Sequence, residues 1–243
     1  MMKPSEPTIG RKDFLRMMGA GLASLVWLAA RPDNLAGTPA GRRLQQGKPS
    51  SLPRYGMLID LDRCIGCQSC TVSCKTENNI PPGYFRTWVK SVEKGRFPHV
   101  SRHYLPRLCN HCERPPCVDV CPVLATYKRP DGAVVIDEDR CIGCGYCVQA
   151  CPYDARFINP ETHRADKCTF CIHRVEAGYE PACVTTCIGG ARIFGDLNDP
   201  NSHIAQRIAT EPTQVLRPDF GTEPRVYYIG LDQHTEGRIE ERP

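Results

Sequence analysis

The sequence predicts an α+β chain, loop-rich and built from two interleaved copies of one small module. Three observations lead there. All sixteen cysteines fall into four groups of four, and none lies outside them. Two groups share their surrounding text, Asp62-Arg63-Cys64-Ile65-Gly66-Cys67 against Asp139-Arg140-Cys141-Ile142-Gly143-Cys144, and such self-similarity marks a duplicated structural unit. A strand-like run precedes each copy, Tyr55 to Leu61 and Ala133 to Asp137.

The spacings point to the chemistry. Cys64, Cys67, Cys70 and Cys74 read C-x2-C-x2-C-x3-C, and Cys141, Cys144, Cys147 and Cys151 repeat that pattern. Cys109, Cys112, Cys117 and Cys121 read C-x2-C-x4-C-x3-C, and Cys168, Cys171, Cys183 and Cys187 read C-x2-C-x11-C-x3-C. A [4Fe–4S] cluster takes four thiolates, and the bacterial ferredoxin run has the first spacing, its fourth cysteine serving the other cluster of a pair. Sixteen ligands thus predict four [4Fe–4S] clusters, and the fold class becomes two interleaved bacterial-type 2[4Fe–4S] ferredoxin-like modules. Disulfides fit less well, because disulfide-dense domains are small and this chain is long enough to bury a core. Zinc accepts four thiolates, but it does not require a third and fourth cysteine at these offsets followed by proline, as in Cys121-Pro122 and Cys151-Pro152.

Charge follows from the cysteines. The formal net charge of the 243 residues is +4 with thiols neutral. Four thiolates on an oxidised core leave about −2 per cluster, so four clusters bring the chain to about −4. Arg63, Lys75, Arg107, Arg140, Lys167 and Arg174 stand beside ligands, either offsetting that charge or lying as solvated surface groups. No basic run with interleaved aromatics supports nucleic-acid binding.

Along the chain, residues 1–40 read as an export signal: Lys3 and Arg11-Lys12, an apolar stretch from Met17 to Ala30, then the small residues Ala36 and Ala40. That stretch is shorter than the about 20 residues a spanning helix needs. Arg11-Lys12-Asp13-Phe14-Leu15-Arg16 resembles the twin-arginine motif, with Lys12 in place of the second arginine. Residues 41–53 read as a linker and 54–195 as the four-cluster domain. Cysteine triplets are expected on loops, with each fourth cysteine opening a short helix. Pro81-Pro82-Gly83 and Phe97-Pro98 are expected to break 76–108 into short pieces, with Tyr84, Phe85, Trp88 and Val89 as packing. The gap from Ile172 to Ala182 suits a helix ending near Gly178. Residues 196–243 lack cysteine and are expected to form a surface-running, partner-contacting tail.

From Tyr55 to about Asp232 the chain resembles the electron-transfer subunits of membrane-associated molybdopterin oxidoreductases, those of tetrathionate, polysulfide, thiosulfate and dimethyl sulfoxide reductases and the related nitrite-reduction ferredoxin. The matching text includes Leu108-Cys109-Asn110-His111-Cys112, Pro115-Pro116-Cys117, Cys147-Val148-Gln149-Ala150-Cys151-Pro152-Tyr153-Asp154-Ala155-Arg156 and Asp166-Lys167-Cys168-Thr169-Phe170-Cys171. Gly189-Gly190-Ala191-Arg192 and Gly195-Asp196-Leu197 look most like the tetrathionate branch. The resemblance implies crossed ligation: Cys64, Cys67, Cys70 with Cys187; Cys109, Cys112, Cys117 with Cys151; Cys141, Cys144, Cys147 with Cys121; and Cys168, Cys171, Cys183 with Cys74. It also implies a non-catalytic wire between a quinone-linked membrane subunit and a molybdopterin catalytic subunit, on the periplasmic side. A free-standing periplasmic multi-cluster ferredoxin is the other reading, and an iron–sulfur sensor a third. No catalytic residue or small-molecule site is expected on this chain. His111, His173 and Arg174 lie beside ligands, where tuning, partner contact and plain packing all stand.

Overall fold

A three-stranded sheet joins the two ends of the described part of the chain, residues 52–232, in the computed structural model. The expected export signal, nearly all of the linker and residues 233–243 lie outside the described residues. Strand β1 (Tyr55–Asp60) occupies the centre of the sheet. It pairs antiparallel with β8 (Arg192–Asp196), from Tyr55 opposite Asp196 to Ile59 opposite Arg192, and parallel with β9 (Val226–Ile229). Alternation along β1 gives each face a core. Met57 and Ile59 pack with Val226 and Tyr228 on the cysteine side, while Leu58 packs with Ile193, Ile204 and Ile229 on the other.

Between β1 and β8 the elements are short. Helix α1 (Ser69–Asn78) is followed by β2 (Thr87–Arg96) and β3 (His99–Leu108), then α2 (Pro116–Asp119). Two small hairpins follow, β4 (Thr126–Lys128) with β5 (Val134–Ile136), and β6 (Arg156–Ile158) with β7 (Ala165–Lys167), with α3 (Tyr146–Gln149) between them. Helices α4 (Ile172–Glu176) and α5 (Ala182–Thr185) precede β8, and α6 (His203–Thr210) follows it. The strand expectations at 55–61 and 133–137 fall on β1 and β5, and α4 ends just before Gly178.

Three expectations are corrected. The segment read as a surface-running tail is built into the body as far as residue 232. Its β-branched and aromatic run Val226-Tyr227-Tyr228-Ile229 supplies a strand of the central sheet, with Val226 and Tyr228 fully buried. Helix α6 closes the outer face through Ile204, and its cap Ser202 accepts a hydrogen bond from Ala205 N at 3.3 Å. Residues 87–108 are not broken into short pieces; they form one hairpin with every residue from Thr87 to Arg96 in register, and Phe97-Pro98 only makes its turn.

The third correction concerns the fourth cysteines, which do not open helices. Cys74 lies inside α1, and Cys121, Cys151 and Cys187 each follow a helix end. Pro122 and Pro152 disfavour helical backbone at the cysteine before them, and Gly189-Gly190 follows Cys187. Only Cys74 is followed by residues that let the helix run on.

Candidate metal centres

All sixteen cysteines are free thiols in the described part of the chain. Their loops need a backbone that few residues adopt. Gly66 and Gly143, at the same place in the two copies of the repeat, have φ of +71° and +69°. A Cβ on Gly66 would lie 2.3 Å from the Tyr104 ring, and one on Gly143 would lie 2.1 Å from the His163 carbonyl oxygen. Each glycine lets its cysteine loop lie flat against a neighbouring segment.

Tertiary structure gathers the thiols into sets that cross the sequence groups. Cys64, Cys67, Cys70 and Cys187 line one apolar cavity, with Val89 and Arg192 in its wall. Burial pushes the Cys64 thiol up, and Cys70 and Cys187 push it further. Cys109, Cys112, Cys117 and Cys151 line a second cavity, with Arg156 in its wall. Burial and the neighbouring Cys109 raise Cys112 to about 12, although Thr222 hydrogen-bonds to it. In the third set, burial raises Cys74 to about 12, helped by Cys183 and Cys171. Cys168 is raised well above the thiol range by burial and then by Cys74, Cys183 and Cys171. The Asn78 Nδ2 group sits 3.7 Å from Cys74 Sγ and 3.9 Å from Cys171 Sγ, bridging the two.

Cys121 follows α2, Cys141 and Cys144 precede α3, and Cys147 lies within α3, which packs against α2. Cys141 Sγ accepts from Ala165 N at 3.4 Å, and Cys121 Sγ from Thr126 N at 3.5 Å. Burial would raise Cys121, but amide hydrogen bonds from Thr126, Val123 and Ala125 outweigh it and the net shift is downward.

Thiolates brought together in an apolar interior disfavour their own ionisation, and a cationic core at the centre of each set reverses that. The donor chemistry therefore fits an iron–sulfur group.

Two arginines belong to these sites that sequence reading passed over. Arg156 donates to Cys117 Sγ at 3.0 Å and to Thr126 Oγ1 at 3.2 Å. Arg192 donates to Thr87 Oγ1 at 2.8 Å, and its charge opposes the upward shift of the Cys183 thiol. Burial works against the charged form of Arg192, but Cys183 and Cys70 outweigh it and raise its pKa. A signal was present: Cys151-x3-Ala155-Arg156 and Cys187-x3-Ala191-Arg192 are the same motif, and Cys121-x3-Ala125-Thr126 is a third copy with threonine last. All three alanines are buried, and a strand starts at the residue after each. Thr222 was missed because it belongs to the segment read as a tail.

The basic residues named from sequence divide. Arg107 and Lys167 are buried; Arg107 donates to Tyr153 O at 2.6 Å and Lys167 to Cys168 O at 2.6 Å. Arg63 and Arg140 are exposed, and Lys75 lies over the Phe85 ring. His173 and Arg174 both bind Glu77 at 2.8 Å, tying α4 to α1 and so Cys171 to Cys74. His111 is buried and stacked on Phe170 at 3.6 Å, and its Nδ1 accepts from Val134 N at 3.0 Å. Burial, with Lys167 and Arg156 nearby, holds it well below the usual histidine range, so it packs as a neutral ring.

Comparison with known proteins follows the same outline. A 4Fe-4S dicluster domain matches residues 100–197, and another matches residues 63–125. The chain is 56% identical to a tetrathionate reductase subunit of Salmonella typhimurium, over 91% of this chain and 88% of that one. It is 43% identical to a polysulfide reductase subunit of Wolinella succinogenes, over 72% of this chain and 94% of that one. A selenate reductase subunit of Mesobacillus selenatarsenatis is also 43% identical, over 75% and 74%.

Proposed function

We propose, since this chain belongs to the family of iron–sulfur electron-transfer subunits of tetrathionate, polysulfide and related reductases, that it is a four-cluster wire whose two ends meet two different partners. One partner would be a molybdopterin catalytic subunit that reduces tetrathionate or another sulfur compound, and the other a membrane subunit that exchanges electrons with quinone. Each set of four cysteines would hold one [4Fe–4S] group, which when bound supplies a one-electron carrier. The residues of this chain hold the groups, exclude water and set their charge environment.

One observation carries this reading. The four proposed sets would stand in a row with buried middle members and exposed ends. Cys70 of the first set neighbours Cys183 of the set of Cys168. Cys168 in turn neighbours Cys109 of the next. Cys117 packs in one apolar cluster with Cys147 and Cys141 of the last. Cys67 and Cys144, at opposite ends of the row, are exposed, while Cys74, Cys168, Cys171 and Cys183 are buried. Exposed apolar side chains flank both ends, Ile65 and Ile188 beside one and Ile142 and Tyr146 beside the other. Apolar surface at the two exposed ends suits docking of protein partners, and it favours the bound subunit over a free-standing shuttle.

Residues 1–40 would then act as a twin-arginine-type signal, delivering the folded chain to the periplasmic side. The test is iron, zinc and molybdenum per chain in material purified anaerobically from the native host. About 16 iron with about one molybdenum is the expected result. The same iron in a chain that purifies alone would favour the free carrier, and about four zinc with little iron would overturn the cluster assignment.

A further inference from the structure

The row of cysteine sets has a buried cation at each of its three junctions. Arg192 stands at the first. It lines the cavity of Cys64 and Cys70, and its charge opposes the upward shift of the Cys183 thiol in the neighbouring set. Lys167 stands at the second: it binds the Cys168 carbonyl at 2.6 Å, and burial lowers its pKa while Cys109, Cys168 and Cys117 act to hold it charged. Arg156 stands at the third. It lines the cavity of Cys109 and Cys151, donates to Cys117 at 3.0 Å and feels the charge of Cys147 in the last set. All three are at most 3% exposed. Burying a cation is costly unless negative charge lies close to it.

The two arginines are also built alike. Each follows its closing cysteine by the same five positions, in Cys-x3-Ala-Arg, and each is steadied by a threonine hydroxyl, Thr126 for Arg156 and Thr87 for Arg192. In the third copy of the motif, Thr126 stands where an arginine would be and serves the Arg156 of its neighbour.

We propose that Arg192, Lys167 and Arg156 are shared counter-charges, each raising the reduction potentials of the two clusters it separates. This rests on the four-cluster reading above. Reduction adds a negative charge, which a nearby cation stabilises, and in a low-dielectric interior that stabilisation is large. A cation between two clusters also weakens the repulsion each reduced cluster exerts on the next. Middle clusters have two such neighbours and end clusters one. Arg192, Lys167 and Arg156 are positioning residues for electron flow and touch no substrate.

The test is an EPR-monitored redox titration of the full chain, purified anaerobically, with iron counted in every sample. Signals are assigned by Cys67→Ser, Cys171→Ser, Cys112→Ser and Cys144→Ser. Arg192→Met is expected to lower the potentials of the Cys67 and Cys171 signals and leave the Cys144 signal in place. Arg156→Met is expected to lower the Cys112 and Cys144 signals and leave the Cys67 signal in place. Arg→Lys at each position should restore most of the shift. Should the Met variants lose iron, Thr87→Val carries the test for Arg192, with smaller shifts in the Cys67 and Cys171 signals. Full iron with unmoved potentials, or a shift confined to one cluster, overturns shared counter-charge. A wild-type chain with far fewer than about 16 iron overturns the cluster reading beneath it instead.

Discussion

At the scale of the residue, each cysteine's role depends on what tertiary structure places opposite it. Cys187 is close in sequence to Cys183, yet the two thiols face different sets. Cys187 shares a cavity with Cys64, Cys67 and Cys70, while Cys183 lies with Cys171 and Cys74. Cys187→Ser is therefore expected to remove or alter the same EPR signal as Cys67→Ser. If it instead matched Cys171→Ser, the crossed ligation would be wrong. The cysteine positions were legible in sequence because thiolate spacing is nearly a complete description of a cluster loop. Arg156 and Arg192 stand in a repeated Cys-x3-Ala-Arg motif, but only the fold shows that this motif buries them beside sulfur.

At the scale of the element, short strands and helices serve the loops between them. Helices α2, α3 and α5 are four residues each, too short to be stable alone, and are held by the turns around their cysteines. Helix α6 is different: it contributes no ligand and covers the outer face of the sheet through Ile204, which is fully buried. Ile204→Ala is expected to cost about 2–5 kcal/mol. It should lower the unfolding temperature while iron per chain and the EPR spectrum of the native protein stay unchanged. Loss of one particular cluster signal would show that α6 supports a site directly. Sequence reading missed this element because proline, asparagine and aspartate dominate the text around it, and the partner of its apolar face, β1, lies more than a hundred residues away.

At the scale of the whole molecule, the last part of the chain locks the rest. Glu113 gathers Arg54 at 3.0 Å from the start of the described chain, Lys128 from β4, and Arg225 from the segment before β9. Burial acts to raise the Glu113 carboxyl, but Lys128 and Arg225 outweigh it and hold it at about 2. A carboxyl depressed on folding adds stability above its unfolded value of 4.5, and that stability is lost as pH falls through the folded value. Glu113→Gln should thus lower the unfolding temperature at neutral pH, and its difference from wild type should shrink as pH falls from about 4.5 towards about 2. A difference constant with pH would mean that the residue acts by packing rather than charge.

The cysteine chemistry, the duplicated module and membership of an electron-transfer family are all readable from the residues alone. Each of these is written in local spacing, and a cluster loop is a local structure. The crossed grouping of thiols was implied by the family resemblance, whereas the fold was needed to show which basic side chains are buried among them and that residues 196–232 belong to the body. Those facts depend on contacts between segments far apart in the chain: β1 against β8 and β9, Arg192 against Thr87, Thr222 against Cys112. Burial is the physical reason. A charge or strand acquires its role from what surrounds it after folding, and no run of neighbouring residues states that in advance.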